Sequence, residues 1–232
     1  MNHANKQRGF TLIELLLAMT FISFLLLAIA MTIIQISTVY NHGLTLKDVN
    51  QTGRSLSSEL EQGISQTVPF VIDGSATSRY KAQDWGGRLC LGKYSYIWNY
   101  GRALIANNPL SLNTYGSTGN QPIRFVKVSD ANAAYCADLS KPVDANSAIE
   151  LLNVGDHSLT IHNFSISSAD TANDTKTGQR LYSISLTLGT NDQNALLPDA
   201  SACKTPGSSG ADPAYCAIEQ FNFTARAGNI VN

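Results

Sequence analysis

One carboxylate, Glu14, stands near the start of an apolar run that extends from Phe10 to Ile34 and is otherwise broken only by hydroxyl side chains. The run exceeds the ~20 residues that a helix needs to cross a hydrocarbon core, so the sequence predicts a membrane-spanning helix. An ionised carboxylate inside such a segment costs about 2.5–3.5 kcal/mol on insertion scales, and it is kept where a partner meets it or a function requires it. The chemistry expected of Glu14 is therefore ion pairing, with the cation supplied from elsewhere.

Catalysis asks for convergent groups, and the other polar residues do not supply them. Of the four histidines, His3 precedes the apolar run and His42 sits at its far end. His157 and His162 are an odd number of residues apart on what reads as one strand, which sends their side chains to opposite faces. Asp170, Asn173 and Asp174, and likewise Asn191, Asp192 and Asn194, offer oxygen ligands. Neither run has the spacing of a calcium loop, and both read as polar turns. No metal, cofactor or catalytic residue is expected, and the chain does not read as an enzyme. Tyr94, Tyr96, Trp98 and Tyr100 alternate along a strand and read as packing before adhesion. Asn163, Asn173 and Asn222 open Asn-x-Ser/Thr triplets, a weak glycosylation pattern.

The four cysteines, Cys90, Cys136, Cys203 and Cys216, all follow the apolar run, and none forms a Cys-x-x-Cys pair. An even number in an oxidising compartment reads as disulfides, and the spacing does not match structural zinc sites. Of the three connectivities, pairing Cys203 with Cys216 is favoured. It closes the polar segment Lys204–Tyr215, which has little apolar material to order it, and closing a loop of ~15 residues is worth about 3 kcal/mol. Cys90 is then left with Cys136.

The elements that position these residues follow from pattern. Residues 1–9 form a leader carrying Lys6 and Arg8, with no comparable basic cluster close behind the apolar run; the positive-inside bias puts the leader in the cytoplasm and the rest outside. Residues 10–40 form the membrane half of a helix. In residues 41–67, Val49, Leu56, Leu60 and Ile64 recur at helical spacing, with Asp48, Arg54, Ser57, Glu59 and Glu61 on other faces, which predicts an amphipathic half. No proline interrupts Phe10 to Thr67, so one long helix is expected. Gly43, Gly53 and Gly63 weaken it by ~1 kcal/mol each relative to Ala, and Pro69 stops it.

From residue 68 to 232 the period changes to two. Tyr94–Trp98, Ile123–Val128, Leu159–Ile161, Phe164–Ile166, Tyr182–Leu188 and Phe221–Ala225 place apolar side chains at alternate positions. The expected fold class is α+β: an antiparallel β-sheet headpiece whose apolar face is covered by the stripe on the second half of the helix. The net charge of -1, with Lys and Arg scattered singly, gives no basic field for nucleic acid.

Arg8-Gly9-Phe10-Thr11-Leu12-Ile13-Glu14 and the hydrophobic helix behind it resemble the processing site of type IV prepilins and pseudopilins. The resemblance implies that a prepilin peptidase cuts after Gly9 and methylates the new N-terminal residue, Phe10. It implies that Glu14 pairs with the Phe10 amine of a neighbouring subunit, which is the missing cation. A pilin-like fold is also implied, with the Cys203–Cys216 segment in the place of the C-terminal disulfide loop of many pilins. The large headpiece and the lack of a proline within the membrane helix resemble minor subunits, such as the W-type minor pilins or J-type pseudopilins. Implied partners are other pilin subunits through helix packing, the peptidase and the pilus assembly machinery. The implied location is the inner membrane, single-pass with an exported headpiece, and then the extracellular filament. A pseudopilin of a type II secretion system is the nearest alternative, and a membrane-anchored exported adhesin or enzyme is the alternative from another class.

Overall fold

The computed structural model describes residues 10–75, 77–105, 113–116, 121–152, 158–168, 178–192 and 194–228. The chain divides into two compact units, Met1–Asn41 and His42–Asn232. One helix, α1 (Leu12–Ser65), begins in the first and ends in the second. In the first unit its apolar side chains cover no core: from Leu12 to Ile36 every large apolar residue is exposed. This is the one helix among the described residues long and apolar enough to cross a membrane.

In the second unit α1 becomes one-sided. Thr45, Val49, Gly53, Leu56, Leu60 and Ile64 are buried at spacings of three and four, so the predicted stripe is the core face. Two glycines that read from sequence as weak points are positions of close approach. A Cβ on Gly53 would stand 2.1 Å from the Phe221 ring, and one on Gly63 would stand 2.5 Å from the Tyr96 hydroxyl. Helix propensity is given up there so that the sheet can come in. Beyond Pro69 the chain is clasped by Tyr182, whose hydroxyl accepts from the Phe70 amide and donates to the Phe70 carbonyl, each at 2.7 Å. The two rings stack with centroids 4.2 Å apart.

The sequence predicts one sheet; the structure has two, with a short extra pair. The first is antiparallel in the order β1 (Tyr80–Gln83), β2 (Gly86–Cys90), β3 (Tyr94–Asn99), β6 (Phe125–Ser129), β7 (Ala148–Glu150). The short helix α2 (Gly101–Ile105) and the two-residue pair β4 (Thr114–Tyr115) and β5 (Gln121–Pro122) lie in the connection from β3 to β6, and α3 (Ala134–Ala137) follows β6. The second sheet runs β10 (Ile218–Ala227), β9 (Arg180–Thr190), β8 (Leu159–Ser168), also antiparallel.

The division follows from which faces are apolar. The central strands of the five-stranded sheet are buried on both sides. Leu89, Tyr96, Trp98 and Phe125 join the core beside α1, while Cys90, Ile97, Val126 and Val128 form a second core with Ile123, Tyr135, Cys136 and Val143. The three-stranded sheet is apolar on one face only, with Phe164, Ile166, Tyr182, Ile184, Leu186 and Leu188 in the core beside α1. In β8 the register shifts between Ile161 and Asn163, which is why Ile161 and Phe164 are both buried although an odd number apart. A long N-terminal helix followed by antiparallel sheets is an α+β, pilin-like architecture.

Candidate functional site

The start of α1 is organised by its own first residues. Thr11 precedes the first helical residue, Leu12, and Glu14 lies three positions on. The Thr11 amide and hydroxyl donate to Glu14 Oε2 at 3.2 and 3.0 Å, and the Glu14 amide donates to the Thr11 hydroxyl at 3.3 Å. This is a reciprocal capping box, formed where free helix donors would otherwise lack partners. It engages one Glu14 oxygen. The other, Oε1, accepts from no described residue. Phe10, 87% exposed, comes just before the box; Gly9 lies outside the described residues. Thr11 is thus a site residue that the ion-pair reading of Glu14 misses, although the Thr-x-x-Glu spacing that signals it is present in the sequence.

Farther along the apolar half, Thr20, Ser23, Thr32 and Thr38 each donate to a carbonyl three or four residues back, at 2.8 to 3.0 Å. These hydroxyls are met within the helix, as a lipid environment requires. Glu14 remains the charged exception. The arrangement can hold a carboxylate in a fixed place with an oxygen left for a cation. Residues 4–34, which include Gly9, Phe10 and Glu14, match the family model described as the prokaryotic N-terminal methylation motif. The chain carries this methylation motif. It is the class III signal of type IV pilins and pseudopilins. No curated protein and no solved structure matches the chain.

The methylation motif supports a pilin or pseudopilin and so points to a structural subunit. It implies processing by prepilin peptidase and pilus assembly, and together with the apolar helix it fits membrane anchoring. The rest of the motif-bearing chain supplies support for a headpiece. Cys90 is bonded to Cys136 and Cys203 to Cys216, with Cα atoms 6.1 and 5.9 Å apart. The first bridge ties β2 to α3 across the second core. Beside it lies Arg88, which sequence reading passes over. Its Nε and Nη2 donate to Asn113 Oδ1, its Nη1 to the carbonyls of Tyr135 and Asp138, and its Nη2 also to the Lys141 carbonyl. All five donors are used. Burial pulls the guanidinium down to about 10, with Asp138 acting in the opposite sense. A saturated, buried cation of this kind pins a loop to a sheet and has no donor left for a ligand.

Elsewhere the candidate residues disperse. His162 sits at the bulge of β8, half-buried, with Nε2 at 3.0 Å from the Thr190 carbonyl; His157 lies outside the described residues, as do Asp170, Asn173 and Asp174. His42 is exposed on α1. Asp192 Oδ1 accepts from the Asn194 amide at 2.9 Å, the local bond of a polar turn. Among the described residues no group of three or more His, Cys, Asp or Glu is placed to hold a metal. Tyr96, Trp98 and Tyr100 are buried in the core, and Tyr94 alone of that run is half-exposed.

Proposed function

We propose that the chain is a minor pilin of a type IV pilus, cut after Gly9 and N-methylated on Phe10 by prepilin peptidase, and assembled into the filament or at its tip through α1. The observation that carries this reading is Glu14, held by Thr11 and keeping one free oxygen at the head of the apolar half of α1, whose side chains cover no core. Cleavage creates an ammonium on Phe10. Against Glu14 of a neighbouring subunit it removes two charges that each lack a partner, and so sets the axial register of docking. Equivalent helices then cover one another's apolar surface in a head-to-tail helical array. A secretion pseudopilin uses the same motif and the same assembly physics, and it is the second reading.

Mass spectrometry of the purified mature N-terminus tests the reading. The expected species begins at Phe10 and carries one added methyl group. An intact leader, or a first residue beyond Ile36, contradicts it.

A further inference from the structure

Within the His42–Asn232 unit, an open cavity of about 230 Å³ lies between the end of α1 and the β2–β3 turn. Glu59 and Gln62, on one face of α1, and Gln66, just beyond its end, are among the lining residues. Lys93, Tyr94 and Lys127 face them. Glu59 is fixed: Tyr96 Oη and Lys127 Nζ donate to its Oε1 at 2.9 and 2.6 Å, and no described residue donates to Oε2. Burial pushes the Glu59 carboxyl up, but the Lys127 and Tyr96 donors outweigh it and hold it below its ordinary value, so Oε2 is an acceptor at neutral pH. Lys93 has no acidic partner among the described residues, and its ammonium stands 5.5 Å from the Tyr94 ring centroid. The side-chain amides of Gln62 and Gln66 are exposed and bond to no described residue.

The mixture of groups selects the ligand. An anion would meet Glu59, and a cation would meet Lys93 and Lys127. A hydroxyl both donates and accepts, and suits an alternating set of carboxylate, amide and ammonium groups. The volume is below the roughly 300–1,000 Å³ of sites that enclose drug-sized molecules, which suits a single ring. We propose that this pocket binds one neutral sugar residue of a glycan. Glu59 Oε2 accepts from its hydroxyls, while Lys93, Gln62 and Gln66 donate to them. The proposal does not depend on the pilin reading, since every group it uses belongs to the His42–Asn232 unit and none to the apolar half of α1.

The test uses the full chain in a detergent without a sugar headgroup. Methyl glycosides of glucose, galactose, mannose and N-acetylglucosamine are titrated by saturation-transfer NMR, with glucuronic acid as the charged control. At least one neutral glycoside is expected to bind, and the double variant Gln62→Ala with Gln66→Ala is expected to weaken it roughly tenfold without changing the unfolding temperature. Three results overturn the proposal. They are no binding by any neutral glycoside, binding that the double variant leaves intact, and tighter binding of glucuronic acid than of every neutral glycoside.

Discussion

Glu14 serves two demands at one point of the chain. Its Oε2 completes the cap of α1 with Thr11, and its Oε1 is left over. The cap therefore holds the carboxylate in place, and in the proposed function Thr11 is the residue that positions Glu14 for its intermolecular pair. Thr11→Val keeps the shape of the side chain and removes its hydroxyl, at a cost of about 1 kcal/mol in cap stability. Hydrogen exchange of the solubilised chain should then show faster exchange at the Glu14 amide, by roughly fivefold, with the middle of α1 unchanged. Unchanged protection at Glu14 would mean that the hydroxyl does not cap the helix. The charge on Glu14 was legible in the sequence because an apolar background isolates it. Its bond to Thr11 was legible too, in the four-residue spacing, but a motif read only as a processing signal hides the cap.

At the scale of elements, the amphipathic stripe was readable because Val49, Leu56, Leu60 and Ile64 repeat with the helix, and all four are buried. What meets that stripe was not readable. Gly53 reads as a local weakness until Phe221, from the last strand, is seen to occupy the space of its missing Cβ. The two-sheet division was only partly readable: Tyr182–Leu188 alternates as a one-faced strand does, but which strands pair is set by partners far along the chain. Arg88 is the clearest case: its donors go to residues 25 to 53 positions away. Gly53→Ala gains ~1 kcal/mol of helix propensity and loses about 1–3 kcal/mol to overpacking, so denaturant unfolding should show net destabilisation. With Phe221→Ala already in place the clash is gone, and Gly53→Ala should become stabilising. An effect of the same sign in both backgrounds would separate Gly53 from Phe221.

The whole molecule carries two kinds of apolar surface. The headpiece closes its own, in cores on both sides of the five-stranded sheet. The first half of α1 leaves its surface open from Leu12 to Ile36, which fits membrane anchoring. This contrast was legible in the sequence, because residues 10–34 are apolar on every face of the helix while residues 41–67 carry a single apolar stripe. In the proposed function, assembly is a transfer of α1 from lipid to partner helices, with Glu14 as the charge that finds its counterpart only after transfer. Glu14→Ala therefore measures the central claim most directly. Removing the carboxylate relieves an insertion cost of about 2.5–3.5 kcal/mol, so the variant should be cleaved normally and accumulate in the membrane at wild-type level or above. Its amount in sheared filaments should fall well below wild type. Cleaved Glu14→Ala subunits found in filaments at wild-type abundance would contradict the account, and would leave helix packing alone as the force that recruits this chain.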